Sequence, residues 1–215
     1  MTRSQADESQ TGAPRRKYAP RMAPEQRCEQ LLDAAFQITG RVGLHNLSME
    51  AVAAEAGVGK PVLYTVFDTR TDLVAALLRR EHERAIAQVL ETMPTDLSEL
   101  GPAASYAGTV GAFVDAVLEN PTRWRLILTS VENAPSEYHD LLKLSRGAVF
   151  ARAEELARAG IALEPKLEGL DPVLLAHTMM SFAEMLGRLA VSDPETYTRE
   201  RLSSFAVALA QSVGR

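Results

Sequence analysis

Gly57 stands between two short runs that each read as helix, and the turn it permits constrains residues 48–73 more than any other feature constrains the chain. The eight residues after Ser48 are rich in alanine and glutamate, and the Ser48 hydroxyl suits an N-cap that accepts an orphan backbone N–H. Gly57 falls where a left-handed residue would stop that helix, and Val58 supplies the apolar side chain that folds back on such a stop. Gly59 then serves as the next N-cap, with Pro61 in a first turn where a missing N–H costs little. This predicts a second helix from about Lys60 to about Val66. Val52, Ala53, Ala56, Val58, Leu63 and Phe67 are spaced to share one core, and the small side chains at 53 and 56 permit a close crossing. The result is a helix-turn-helix.

Lys60, Pro61, Val62, Tyr64 and Thr65 are left on the outside or at the open end of that corner. A helix N-terminus attracts phosphate, and side chains of its first turn can reach base edges in a major groove. Val62 and Thr65 suit a thymine methyl, Lys60 a guanine or a phosphate, and the Tyr64 hydroxyl a backbone phosphate. The alternative for the same residues is an ordinary helical corner with a solvated lysine.

At this point the sequence resembles the TetR family of transcriptional regulators, most tightly over residues 25–80. The resemblance is carried by an entry helix ending at Gly43, the hydroxyl of Ser48, Ala53, Ala56-Gly57-Val58, Leu63-Tyr64, Phe67, the basic Arg70 and Leu73, in order and at the family's spacing. It implies an all-helical dimer whose amino-terminal domain binds an operator and whose remainder binds an inducer, and it adds Ser48 and Arg70 to the DNA-facing candidates. Gly59 and Val66 depart from the pattern, which commonly has Ser or Thr at the first position and often His or Tyr at the second. A phosphate contact is expected to be missing at each.

The formal net charge of −5 is unlike a DNA-binding chain until it is divided along the sequence. Residues 1–80 hold 11 Lys and Arg against 9 Asp and Glu, a balance of +2, and the rest holds 12 against 19, a balance of −7. The basic residues Arg3, Arg15, Arg16, Lys17, Arg21 and Arg27 outnumber the acidic ones within residues 1–27. With Pro14, Pro20 and Pro24 and few apolar side chains, residues 1–22 read as a basic arm that is disordered alone and orders along phosphates or in a minor groove, unless it is only a solubilising tail. The DNA-facing candidates are then Arg15, Arg16, Lys17, Arg27, Ser48, Lys60, Pro61, Val62, Tyr64, Thr65 and Arg70.

Residues 23–70 are expected to form the helix-turn-helix domain and residues 71–215 a helical effector-binding and dimerisation domain. Pro24 opens a first helix with the apolar stripe Leu31, Leu32, Ala35, Phe36 and Ile38. Thr69 caps a fourth helix, with Asp72 at the capping-box position, and this helix runs from Arg70 to about Thr92 as a rigid element shared by both domains. Prolines punctuate the chain beyond Thr92 and place helices at about 99–119, 121–131, 136–160, 172–191 and 197–213, about nine in all, with no alternating strand pattern and no internal repeat. The helix at 172–191 is apolar almost all round and must bury two faces. One covers its own domain, and the other joins the last helix in a two-fold dimer through Leu174, Met180, Met185, Gly187, Leu202, Phe205 and Leu209, with Gly187 allowing close approach. The alternative is that both faces are internal core.

Tyr106, Phe113, Trp124, Phe150, Met179 and Phe182, with His139 and His177 as polar handles, are candidates for a cavity that takes a mostly hydrophobic small molecule. Taken singly, each suits core as well as ligand contact. No enzyme chemistry stands out. His45, His82, His139 and His177 have no companion at metal-ligand spacing, no carboxylate is paired with an activated nucleophile, and no glycine loop cradles phosphate. No cofactor is expected. The lone Cys28 excludes an internal disulfide, and no apolar run approaches the ~20 residues that span a bilayer, so the cytoplasm is the expected compartment. The functional expectation is a dimeric, ligand-released repressor on a palindromic operator. An activator or co-regulator without an inducer, or an all-helical enzyme, is the alternative.

Overall fold

The computed structural model describes residues 22–129 and 136–213, with the side chains of 136–145 outside that description. Nine α-helices and no strand occur among the described residues. In order they are α1 (Pro24–Val42), α2 (Met49–Glu55), α3 (Lys60–Tyr64), α4 (Arg70–Thr92), α5 (Gly101–Glu119), α6 (Pro121–Thr129), α7 (Ser136–Leu163), α8 (Pro172–Ser192) and α9 (Arg199–Val213). The chain is all-α, as its periodicity predicts. Proline opens α1, α6 and α8 and lies at the second position of α3 and α5, where it takes an N–H that has no partner inside the helix.

Two apolar cores organise these helices. The first is built by α1, α2, α3 and the start of α4, around Leu31, Ala35, Val52, Leu63, Leu73 and Leu77, all essentially without exposure. Leu126 of α6 enters it as well. The second is built by α5, α6, α8 and α9 around Val114, Val117, Trp124, Leu186 and Ala206, with Ala85 of α4 joining. A smaller cluster of Ala153, Ala157 and Ala176 lets α7 lie close against α8.

Helix α4 belongs to both cores, and its amino-terminal end is fixed by a complete capping box. The Thr69 hydroxyl accepts from the Asp72 N–H at 3.1 Å, and the Asp72 carboxylate accepts from the Thr69 N–H at 2.9 Å. Further along, Glu81 is wholly buried and joined to three arginines: Arg80 (2.9 Å), Arg84 (3.3 Å) and Arg123 of α6 (2.9 Å). Arg80 also reaches Glu29 and Asp33 of α1 at 3.1 and 2.8 Å. The cluster ties α1, α4 and α6 at one point.

Two boundaries differ from the sequence expectation. Helix α3 ends at Tyr64 rather than Val66, because the Val66 N–H turns to the Leu63 carbonyl at 2.9 Å in a tighter closing turn. Helix α7 runs on to Leu163.

Candidate nucleic-acid interface and effector cavity

The corner between α2 and α3 is set by backbone geometry. Gly57 has a φ of +66°, its N–H donates to Ala54 at 3.1 Å, and the Val58 N–H donates to Ala53 at 2.9 Å. This paired arrangement satisfies two carbonyls at the end of α2 and starts α3 at a fixed angle. A Cβ at Gly57 would meet nothing within 4 Å, so the demand there is for the left-handed conformation and not for space. Leu63 and Phe67 fill the inside of the corner.

On the outside, Lys60, Pro61, Val62, Tyr64 and Thr65 form one exposed face, on which Tyr64 is 46% accessible. Lys60 is paired with Glu50 of α2 at 2.8 Å, both side chains being more than half exposed. The pair raises the lysine's pKa and lowers that of the carboxylate, through the hydrogen bond above all. The lysine is therefore charged, and a screened surface partner is readily exchanged for a phosphate. The Thr65 hydroxyl donates to the Val62 carbonyl at 2.6 Å.

Three other candidates are placed differently. Arg70 does not project from the face: its guanidinium donates to the carbonyls of Leu47 (2.6 Å), Leu44 (2.8 Å) and His45 (3.3 Å), clasping the loop that leads into α2. The Ser48 hydroxyl accepts from the Ala51 N–H at 3.2 Å and is half-buried. Arg27 donates to the Gln30 side chain, which in turn donates to the Ala56 carbonyl at 2.9 Å. Each braces the corner. Arg15, Arg16 and Lys17 lie outside the described residues.

Between α4, α5, α6, α7, α8 and α9 lies a cavity of about 410 Å³. Tyr106, Phe113, Trp124, Met179 and Phe182 line it, and the wall is mostly apolar. Phe113 and Trp124 meet edge to face at 4.9 Å, and the Tyr106 hydroxyl donates to the Met179 carbonyl at 2.9 Å, its own pKa raised by burial. Phe150 and His177 are off this wall. Their rings meet at a tilt of 36° with centroids 4.2 Å apart, because Phe150 sits beside the cavity-facing Val149 on α7 and turns toward the α7–α8 cluster. The His139 side chain lies outside the described residues.

The wall also carries His82, Arg146, Glu184 and Arg188, none of which enters the sequence-derived ligand set. His82 is buried, and its pKa is lowered to about 4, by burial first and by the Arg146 charge second. Arg146 of α7 is ion-paired with Glu184 of α8, and Arg188 lies 3.5 Å from the same carboxylate. The i,i+4 pair of Glu184 and Arg188 on an otherwise apolar helix is visible in the sequence, but Arg146 arrives from another helix.

The candidate dimer residues divide into two sets. Leu174 (66% exposed), Phe205 (51%), Met185 and Leu209 are accessible apolar side chains on α8 and α9. Met180 is half-buried against the α7–α8 cluster. Leu202 and Gly187 are turned inward, against the expectation of an interface role. Leu202 belongs to the second core, and a Cβ at Gly187 would come within 2.8 Å of Phe113 and 3.0 Å of Leu128. The glycine makes room for the chain's own cavity wall.

Among the described residues no group of three or more His, Cys, Asp or Glu could hold a metal ion, and no helix is long and apolar enough to cross a membrane.

Residues 31–77 match the model of the bacterial regulatory proteins, tetR family. The chain is 31% identical over 107 residues to the HTH-type transcriptional activator FasR of Mycolicibacterium smegmatis (strain ATCC 700084 / mc(2)155), an alignment of 50% of this chain and 48% of that protein. It thus spans about half the length of the curated relative it matches. Among solved structures, a TetR-like transcriptional regulator from Rhodococcus sp. RHA1 superposes with a TM-score of 0.67 at 21% identity, covering 89% of this chain and 97% of that one. The transcriptional regulator FadR of Bacillus subtilis, solved in complex with stearoyl-CoA, gives 0.67 at 16% identity over 86% and 98%. At those identities the two structures show a common fold.

Proposed function

We propose that this chain, whose residues 31–77 match the tetR family of bacterial regulatory proteins, is a DNA-binding transcription regulator of that family that works as a homodimer in the cytoplasm and responds to a small hydrophobic effector. The observation that carries the reading is the exposed face of Lys60, Pro61, Val62, Tyr64 and Thr65, held at a fixed angle by the Gly57 turn. Such a face presents a cation, a phenol and two methyl-bearing side chains to a major groove, and phosphate contacts then set its register. Residues 23–70 form the reading head and residues 71–215 the body in this reading.

Two-fold pairing through Leu174, Met185, Phe205 and Leu209 would present two heads to a palindromic site. The cavity lined by Phe113, Trp124 and Phe182 abuts α4 and α6, both of which reach the first core, so a ligand there acts on the spacing of the heads. Release of DNA by the ligand is the repressor reading. The likeness to the activator FasR favours a second reading, in which the bound dimer recruits transcription.

Selection of bound fragments from random DNA tests the proposal, with a palindromic consensus as the expected result. Lys60→Ala and Tyr64→Ala are each expected to lower affinity for that site about 5- to 30-fold, about 1–2 kcal/mol, without dissociating the dimer. Unchanged affinity in both variants would remove the face from the interface.

A further inference from the structure

We propose that the cavity takes a monoanionic amphiphile, a long hydrocarbon chain ending in a carboxylate, with Arg188 and Arg146 receiving the carboxylate at its mouth. The inference rests on reading the cavity as the effector site and adds the chemical class of the effector.

Shape gives the tail. Helix α7 contributes Arg146, Val149, Ala153, Ala157 and Gly160 to the wall, at intervals of three and four that follow one helix face. The fourteen steps from Arg146 to Gly160 correspond to about 21 Å at 1.5 Å per residue. The cavity of about 410 Å³ follows that face, and its mostly apolar wall suits a flexible hydrocarbon chain laid along it. The end at Gly160 is tight, since a Cβ there would lie 3.3 Å from Pro102.

Charge gives the head. The opposite end opens to solvent at Arg146 and Arg188, whose side chains are 54% and 46% exposed, with Glu184 between them at 24%. Two guanidinium groups against one carboxylate leave a single positive charge. His82 on the same wall adds none, because burial and Arg146 keep it neutral near pH 7. The other charged residue on the described wall, Glu164, lies eighteen positions beyond Arg146, at the far end of the cavity from the arginines, where its carboxylate accepts from the Lys166 backbone N–H. One excess positive charge is matched by one negative charge. A guanidinium fork meets a carboxylate with two parallel hydrogen bonds, and Arg188, the looser partner of Glu184 at 3.5 Å, is the one placed to turn to the ligand. A neutral head would accept a hydrogen bond from either arginine but leave the excess charge unmatched. A polyanion would bring charge against Glu184 without a counterpart.

The test is calorimetric titration of the full chain with palmitate, methyl palmitate and palmitoyl-CoA. Palmitate is expected to bind at least ten-fold more tightly than its methyl ester. Arg188→Gln and Arg146→Gln should each shrink that ratio toward one, and Arg188→Lys should retain part of it; all three changes are made at exposed side chains, and the thermal unfolding of each variant checks its fold. Equal affinity for acid and ester, or a ratio unmoved by both glutamine variants, overturns the carboxylate head while leaving the cavity as the effector site. Palmitoyl-CoA binding more tightly than palmitate overturns the monoanion assignment in favour of a polyanionic head. Failure of all three probes to bind removes the effector reading and this inference together.

Discussion

A single buried imidazole on α4 illustrates what a side chain inherits from its surroundings. His82 is almost inaccessible, and its pKa stands near 4 because burial disfavours the cation and Arg146 repels it. The folded value lies below the ordinary one near 6.5, so the unfolded chain takes up the proton first. The stability that His82 contributes is complete above about pH 6.5 and is lost as the pH falls toward 4. Each pKa unit is worth about 1.4 kcal/mol, and lowering the pH from 7.5 to 5 is expected to cost about 1–2 kcal/mol through this residue. Urea unfolding at the two pH values measures it, and His82→Gln should remove that part of the slope; an identical slope in both chains would sink the account. Nothing in the sequence around Glu81-His82-Glu83 distinguishes this histidine, because its environment comes from α7. By contrast Gly57, Ser48 and Thr69 were legible, since caps and left-handed turns are written within four residues of where they act. Arg70 shows the limit of motif reading. A basic residue at the expected place turns its guanidinium to three carbonyls of the loop that leads into α2, more than twenty positions back along the chain.

At the scale of elements, the helices and their order followed from the sequence because prolines and glycines mark their ends and apolar stripes mark their inner faces. Which helices share a charge did not follow. Glu81, itself wholly buried, collects Arg80, Arg84 and Arg123, and Arg80 extends the set to the more exposed Glu29 and Asp33 on α1. Members lie as far as 94 positions apart in the chain, so no periodicity connects them. Removing one member of a buried ionic set leaves the others unmatched, and Glu81→Ala is expected to destabilise the chain by about 3–5 kcal/mol. Denaturant unfolding reads this directly. A loss below about 1 kcal/mol would mean that the arginines find water instead. The cluster also explains why α4, α6 and α1 meet where they do: α6 brings Arg123 to Glu81, Leu126 to the first core and Trp124 to the second.

For the whole molecule, the division of charge made a DNA-facing amino-terminal half credible in an acidic chain, and the apolar surface of α8 and α9 does the same for assembly. Leu174, Met185, Phe205 and Leu209 are large apolar side chains left accessible on α8 and α9, surface of the kind that marks association. Phe205→Glu is therefore expected to give monomers in sedimentation and to weaken operator binding at least ten-fold, since one head then binds without its partner. An intact dimer would move the interface elsewhere. Gly187 and Leu202, expected at an interface, face inward instead, because a helix apolar all round does not say which face is outward. Leu126 carries a different implication. Although α6 follows the two helices of the corner by more than fifty positions, Leu126 is 3% exposed inside the core that α1 to α4 build, the proposed reading head. A fragment cut after α4 would leave a leucine-sized gap there, and filling such a gap is worth about 1.5–3 kcal/mol. The head is thus not a module that can be lifted out whole. A chimaera that grafts α1 to α4 onto another body must bring α6 along or supply its own leucine at that spot, and recombination between relatives would be tolerated after residue 129 more readily than after residue 92.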